Sequence, residues 1–295
     1  MTRSLHVVVL AAQRRGVANP LAERFGVSHK CLIPLKGQPL IAHVLGTLRS
    51  HPRVASIAIS VEPEAFAAID DVVRLLPPGL PIECVPAADN LADSVIAAAG
   101  DHGGPLVITT ADHALLDGRS LDALAVALQS HAAAIAMCPR EAVLAAHPQG
   151  QRRFYEFRDG GYSNCNLYGL AGRGALEAAE IFRGGGQFAK NAARIVSAFG
   201  IVNLLLLRFR IVSLSGGIAL ISRRMGLSIA PVVLEDGSQA IDVDNDRTYA
   251  IVEELLDAPG REALHAEKQS RAVAAGTNRR RRIKQELKVS TESYV

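Results

Sequence analysis

The chain has 295 residues, of which 49% are hydrophobic and 21% charged, and its formal net charge is +3. This composition is typical of globular domains, and the length suits one large α/β domain with a tail or two small domains. Much of the positive charge lies in segment 258–295, so the rest is near neutral and not an evident nucleic-acid-binding protein.

The chain termini and the cysteines suggest a cytoplasmic location. The N-terminal residues lack the apolar core and cleavage site of a signal peptide, and the apolar run 202–207 is too short to span a membrane. The scattered cysteines contain no CxxC pair, as expected of reduced thiols. The arginine run 279–282 is interpreted as part of a basic, flexible tail from residue 258. Contact with RNA, anionic lipid or an acidic partner is the alternative.

Strand-like and helix-like segments alternate through the first half of the chain. The predicted strands are 5–10, 55–61, 82–85, 105–109 and 132–137, and the predicted helices are 39–50, 65–76, 91–99 and 120–131. This alternation predicts an α/β fold, a Rossmann-like three-layer arrangement with a mostly parallel sheet covered by helices on both faces. Ligands of such sheets bind beyond the carboxyl ends of the strands.

The pattern changes after residue 150. Two strands, 153–158 and 163–169, flank the turn-forming residues Asp159-Gly160-Gly161. Further on, helices are predicted at 175–182, 188–199 and 201–209, a strand at 229–233 and a closing helix at 248–256. We therefore expect one domain over 1–257, with a small inserted acceptor or lid region at about 150–235, and a tail over 258–295.

The first strand ends in a loop of small and basic residues. The loop reads Leu10-Ala11-Ala12-Gln13-Arg14-Arg15-Gly16, and it is followed by Lys30 and by Gly37-Gln38-Pro39. Free backbone amides and cations beyond the end of a buried strand are suited to binding a polyphosphate.

Carboxylates follow at two further places. Asp112 comes directly after the apolar run 106–111, where it is placed to hold Mg²⁺ or, alternatively, to cap the next turn. Near the C-terminus, Asp242 and Asp244 point the same way if their segment is extended. Asp246 is expected to be the N-cap of the closing helix.

Together these segments resemble the signature of MobA-like nucleotidyltransferases of the nucleotide-diphospho-sugar transferase (GT-A-like) fold, LAAGxGxR followed by a lysine and GxP. The segments around Asp112 and Asp244 are similar to the family's xxxDxPLL and DVDxPxD. The resemblance implies that loop 10–16 binds the triphosphate of an NTP and that Arg14 and Lys30 neutralise charge during catalysis. It also implies that Asp112 and Asp244 hold Mg²⁺.

The same resemblance implies roles for residues outside these motifs. Asn90 and Ser94 would contact the nucleotide, although helix capping by Asn90 or Asp93 explains this segment nearly as well. Asn166, Lys190 and Asp242 would bind the acceptor. The alternative is a purely structural role, in which these segments supply turn residues and a solvent-exposed helix face. Gln13 stands where the family has glycine, which leaves the choice of base open.

The implied function is Mg²⁺-dependent transfer of a nucleotide, with CTP or GTP favoured as donor, to a phosphorylated small molecule with release of pyrophosphate. A GT-A glycosyltransferase is one alternative, although Asp112-His113-Ala114 stands where that class typically has DxD. A non-catalytic nucleotide-binding regulatory protein is the other alternative, and Gln13 and the basic tail are consistent with it.

Overall fold

Strands and helices alternate along the chain in the predicted order. The computed structural model describes residues 4–13, 19–176 and 209–258. The strands are β1 Leu5–Leu10, β2 Pro34–Leu35, β3 Gln38–Pro39, β4 Val54–Val61, β5 Ile82–Pro86, β6 Leu106–Thr110, β7 Ala133–Pro139, β8 Tyr155–Phe157, β9 Gly160–Leu170 and β10 Ile229–Val233. The helices are α1 Pro20–Arg24, α2 Leu40–Ser50, α3 Phe66–Leu75, α4 Leu91–Ala99, α5 Gly118–Ala127, α6 Arg140–Ala146, α7 Leu214–Met225 and α8 Asp246–Leu256.

The main sheet has the strand order β10-β7-β9-β6-β1-β4-β5, with β8 paired to β9. Strands β6, β1, β4 and β5 are mutually parallel, and β10 is parallel to β7. Strand β9 runs antiparallel between β6 and β7, so its first residues lie at the carboxyl ends of its neighbours. The predicted α/β class with a mostly parallel sheet is confirmed.

Helices cover both faces of this sheet, which explains why β1 is an unbroken apolar run. Val7 and Val9 are fully buried in one hydrophobic cluster with Leu45 of α2. Val8, which points to the opposite face, is buried in a second cluster with Val95 of α4. A strand that is buried on both faces needs apolar residues at every position rather than at alternate ones.

The start of α8 differs from the prediction. The N-cap is Asn245, not Asp246, which is the first helical residue. The Asn245 side chain accepts a hydrogen bond from the Thr248 amide at 3.2 Å, and the Thr248 hydroxyl accepts one from the Asn245 amide at 3.2 Å. This reciprocal capping box satisfies two amides together, and it is available only one residue before Asp246.

Other differences concern element boundaries and the second half of the chain. Helices α1, α6 and α7 are not among the predicted elements, and β8 is shorter than the predicted strand. The predicted helix 188–199 and most of those predicted at 175–182 and 201–209 lie outside the described residues. The described parts of 150–235 supply β8, β9 and β10 to the main sheet. A separate acceptor or lid region and a tail from residue 258 remain predictions. Within the described ranges, no helix combines the length and apolarity needed to cross a membrane.

Candidate functional site

Three parallel strands end side by side at the carboxyl edge of the sheet. Leu10 of β1 is in register with Ser60 of β4 and with Thr110 of β6. The chain stays extended for one more residue, because the Ala11 amide donates to the Ser60 carbonyl and the Ala111 amide donates to the Leu10 carbonyl, each at 2.9 Å. The first loop and Asp112 therefore leave the sheet next to each other, as the sequence predicts.

Lys30 lies between two of the predicted metal ligands. Its ammonium donates one hydrogen bond to Asp244 Oδ1 at 2.7 Å and another to Asp112 Oδ2. Lys30 and Asp112 are largely buried, with side chains 21% and 15% exposed, whereas the Asp244 side chain is 65% exposed. One lysine thus links residues that are far apart in the chain, and the pair that it forms with Asp112 is the more sheltered.

The electrostatics of this group favour the charged forms of Lys30 and Asp112. Burial acts to lower the pKa of Lys30, but the negative charges of Asp112 and Asp244 outweigh it and raise that pKa. Burial acts to raise the pKa of Asp112, but the Lys30 ammonium outweighs it and holds that pKa below its ordinary value. The two side chains therefore stabilise each other's charge at neutral pH.

Asp242 is the most buried carboxylate of the site, at 7% exposure. The Val243 amide donates to the Asp112 carbonyl at 3.2 Å, which fastens the segment 242–244 to the end of β6. Oδ2 of Asp242 accepts a hydrogen bond from Asn166 Nδ2 at 2.6 Å. Burial, and then the negative charges of Asp112 and Asp244, raise the pKa of Asp242 well above its usual value.

Asn166 reaches Asp242 because β9 is irregular at this point. The pairing of β9 with β7 shifts between Ile135 and Met137, and Asn166 has a φ of +46°. Asn164 supports the bend, since its side-chain oxygen accepts from the Asn166 amide at 3.2 Å. Bulges of this kind redirect side chains and are frequent beside active sites. The structure thus brings two of the three predicted acceptor-binding residues together.

Gln13 has a structural role that the sequence does not predict. Its side-chain nitrogen donates to the Ser28 carbonyl at 2.9 Å, and its side-chain oxygen accepts from the Lys30 amide at 3.3 Å. Its own amide donates to Glu62 Oε1 at 2.8 Å. A glycine could not tie the first loop to the turn that carries Lys30.

Glu62 is a residue of this edge that the sequence analysis misses. It directly follows β4, its carboxylate holds the Gln13 amide, and His29 Nε2 lies 3.6 Å from its Oε2. Its position just after a buried strand, the same signal that identifies Asp112, could have found it.

The predicted nucleotide contacts at α4 have local hydrogen bonds. Asn90 caps the helix by accepting from the Asp93 amide at 3.0 Å, and the buried Ser94 hydroxyl accepts from the Ala88 amide at 3.0 Å. Asn90 is therefore the N-cap of α4, and a nucleotide contact for Asn90 or Ser94 stays a prediction. Four further predicted residues lie outside the described ranges: Arg14, Arg15, Gly16 and Lys190.

The described residues contain no ready-made group of three or more His, Cys, Asp or Glu side chains around a metal position. Two carboxylate oxygens nevertheless suit a hard cation. Oδ1 of Asp112 and Oδ1 of Asp242 are both buried without a hydrogen-bond partner of good geometry. Carboxylate oxygens are the donors that Mg²⁺ prefers, so the residues present fit such an ion.

Known structures share the fold of this chain. A hypothetical transferase from Thermus thermophilus superimposes with a TM-score of 0.66 at 23% identity, covering 84% of this chain and 99% of its own. A 4-diphosphocytidyl-2C-methyl-D-erythritol synthase from Anaerococcus prevotii gives a TM-score of 0.53 at 10% identity, covering 86% of this chain and 98% of its own. A CMP:2-keto-3-deoxy-manno-octonic acid synthetase, in complex with CTP, gives 0.52 at 14% identity, covering 86% and 98%.

At these identities the structural likeness establishes the fold, which agrees with the nucleotide-sugar-transferase-like arrangement expected from the sequence. No curated protein sequence matches the chain. A family model for the MobA-like NTP transferase domain matches residues 7–189, more than half of the chain, and includes the first loop, Lys30, Asp112 and Asn166. The chain therefore belongs to the MobA-like NTP transferase domain family.

Proposed function

We propose that this protein is a Mg²⁺-dependent nucleotidyltransferase that joins the NMP part of an NTP to a phosphorylated small molecule and releases pyrophosphate. The observation that carries the proposal is the contact of Lys30 with both Asp112 and Asp244 at the carboxyl edge of the sheet, in a chain of the MobA-like family. The contact of Lys30 with two carboxylates from distant segments supports a single site that contains all three residues.

In the proposed reaction, an oxygen of the acceptor phosphate attacks the α-phosphorus of the NTP. The new P–O bond forms in line with the bond to the bridging oxygen, which breaks and leaves with its electron pair on pyrophosphate. The acceptor phosphate is already ionised near neutral pH, so no general base is needed. Negative charge grows around the α-phosphorus, and fixed cations beside it lower the barrier.

Each side chain of the site has a proposed part in this step. Lys30 and Arg14 neutralise the phosphate charge, and the backbone of residues 10–16 binds the triphosphate. Asp112 and Asp244 hold Mg²⁺, which when bound neutralises and orients the phosphates. Since Lys30 contacts Oδ2 of Asp112, the unpartnered Oδ1 remains available, and the lysine need not leave its place.

Asn166 and Asp242 are proposed to bind the acceptor, together with Lys190. Asp112 follows β6, Asn166 lies on β9 and the first loop follows β1, so Asp112 stands between the other two along the sheet. We therefore place the nucleotide on the β1 side, with CTP or GTP as the favoured donor, near Asn90 and Ser94. The acceptor then approaches from the β9 side.

Thermal unfolding with CTP, GTP, ATP and UTP, with and without Mg²⁺, tests the nucleotide and metal parts of the proposal. A nucleotide at 100 times its Kd should stabilise the fold by about 2.7 kcal/mol. We expect one nucleotide to stabilise the wild type strongly only with Mg²⁺, and Asp112→Asn to remove the Mg²⁺-dependent part. Asp246→Asn is the matched control, because this nearby exposed carboxylate pairs with Arg24 instead of Lys30.

Transfer itself is tested by pyrophosphate release with a panel of sugar and polyol phosphates. Pyrophosphate should form in the wild type and in Asp246→Asn, and not in Asp112→Asn. Release that is undiminished in Asp112→Asn would refute the assignment. Nucleotide binding without pyrophosphate release on any acceptor would instead indicate a regulatory protein, and release of free nucleoside diphosphate would indicate a glycosyltransferase.

A further inference from the structure

The connection between α6 and β8, residues 147–154, is fastened to the segment that carries Asp244. Gly150 packs directly on Ile241, since a Cβ at this glycine would lie 2.5 Å from Ile241 Cδ1 and 3.1 Å from the His147 carbonyl. His147 Nε2 also lies 3.7 Å from Glu254 Oε2 of α8. The position of the connection relative to the site is therefore set by close packing.

Two arginines come together where this connection meets the start of α8. Arg247, partly buried in the first turn of α8, donates from its guanidinium to the Gln149 carbonyl. Arg152 is three residues beyond Gln149 and is exposed. Burial lowers the pKa of Arg247, the positive charge of Arg152 lowers it further, and the negative charge of Asp244 opposes this. The contact of Arg247 with Gln149, three residues before Arg152, places both arginines at this connection.

Neither arginine has a carboxylate partner within 4.0 Å among the described residues. Other arginines in the described part of the chain do form such pairs, for example Arg24 with Asp246 and Arg140 with Glu156. The positive charges of Arg152 and Arg247 repel each other, and the charge of Asp244 offsets this only in part, so an anion bound to both arginines would make the interaction favourable.

The chemistry of the neighbouring site indicates which kind of anion the two arginines would bind. In the described part of the chain, Lys30 is the one cation that contacts both Asp112 and Asp244, so a nearby pair of arginines would further reduce the repulsion between these carboxylates and a phosphorylated ligand. The planar guanidinium group matches two phosphate oxygens at once, which makes arginine better suited to phosphate than a point charge. Arg152 follows β7 and α6, which lie across β9 and β6 from β1 and the first loop. Arg247 contacts the same connection at Gln149, so both arginines lie on the proposed acceptor side.

We propose that Arg152 and Arg247 form a phosphate-binding site that holds the phosphate of the acceptor beside Asp244. Its place in the reaction rests on the proposed function, whereas the phosphate site itself does not. The family motif DVDxPxD leaves the position of Arg247 unspecified, so the motif does not itself assign this residue a role. It limits the acceptors to compounds that carry a phosphate group.

Isothermal titration calorimetry with inorganic phosphate, against chloride at the same ionic strength, tests the site directly. The proteins are the wild type, Arg152→Gln, Arg247→Gln and the double variant. Each arginine should contribute about a tenfold gain in phosphate affinity, and the double variant should lose about a hundredfold. Arg153→Gln is the matched control, because it removes an adjacent exposed arginine with the same formal charge.

Two further measurements keep the result interpretable. Thermal unfolding of each variant shows that the fold is retained, and Arg247→Lys keeps the positive charge if Arg247→Gln destabilises the start of α8. CTP and GTP titrations in the same variants distinguish the source of the phosphate. If the double variant weakens binding of inorganic phosphate and leaves nucleotide affinity within about twofold, the acceptor assignment is supported.

Three results would overturn the proposal: wild type that binds no phosphate, a double variant that binds it as tightly as wild type, or Arg153→Gln with an equal loss. A loss of nucleotide affinity without a loss for inorganic phosphate would move these arginines to the triphosphate and overturn the acceptor assignment. None of these measurements requires turnover. Failure of the wild type to respond to any NTP would thus count against the proposed function and leave the phosphate site intact.

Discussion

Lys30→Met should destabilise the fold mainly because it leaves the Asp112 carboxylate without its positively charged partner. Methionine keeps much of the length and apolar contact of the lysine stem, but it removes the ammonium from Asp112 and Asp244. The Asp112 side chain is 15% exposed, so its charge would be left largely shielded from water, whereas the Asp244 side chain, 65% exposed, stays hydrated. The loss therefore comes from one of the two pairs.

The burial of the two pairs sets the size of the effect. Removing one partner of a fully buried ion pair costs about 3–5 kcal/mol, and exposed pairs contribute about 0–1 kcal/mol. Because Lys30 and Asp112 keep 21% and 15% of their side-chain exposure, we discount the buried value and expect a loss of about 2–3 kcal/mol in the free energy of unfolding. Asp244→Asn alone should cost less than about 1 kcal/mol.

A double-mutant cycle measured by urea unfolding at pH 7 tests this reasoning. In Lys30→Met/Asp112→Asn no buried charge is left without a partner. The free energy of unfolding of the double variant should therefore be about 2 kcal/mol higher than the sum of the two single losses would give. The cycle with Asp244→Asn is the control and should give a coupling below about 1 kcal/mol. Additive losses for Lys30 and Asp112 would refute the contact, and equal couplings in both cycles would refute the argument from burial.

Three further outcomes follow from contacts around the site and in the core. Gln13→Ala should lower the free energy of unfolding by about 1 kcal/mol, because two hydrogen bonds to the Lys30 turn are lost, and should reduce pyrophosphate release more than nucleotide binding. Thr248→Val should cost about 1–2 kcal/mol in urea unfolding, since its hydroxyl accepts from the amides of Asp244 and Asn245. An unchanged midpoint in either variant would contradict the corresponding contact. Burial lowers the pKa of His6, so the unfolded chain binds the proton more readily and stability falls as the pH drops below 6.5; His6→Gln should flatten this part of the urea-unfolding profile, and an unaltered profile would exclude His6 as its source.

Much of the fold follows from local patterns. Apolar segments identify β1, β4, β5 and β6 and the helices between them. Strands that are buried on both faces read as unbroken apolar runs, and the helices repeat their apolar residues at helical spacing. Helix α7 is absent from the predicted elements, although it has ordinary start and stop signals. Ser213 before it accepts a hydrogen bond from the Gly216 amide, and Gly226 ends it.

Local sequence patterns predict only part of the candidate site. Asp112 and the first loop were found because each directly follows a buried strand, and the carboxyl ends of parallel strands meet at one edge. The neighbours of β9 in the sheet are not predictable from its own residues, since alternation shows which side chains share a face and not which strands lie beside it. That pairing, together with the bulge, is what brings Asn166 to Asp242.

The sequence by itself determined the fold class, the family and which residue types stand at the ends of the strands, since these depend on local period and motif. Only the tertiary structure decided which side chains contact each other. Lys30 meets carboxylates 82 and 214 residues away, and Arg247 meets the carbonyl of a residue 98 positions earlier. Contacts of this range depend on strand register, a bulge and the packing of Gly150 on Ile241, and none of these has a signal in the residues that finally touch.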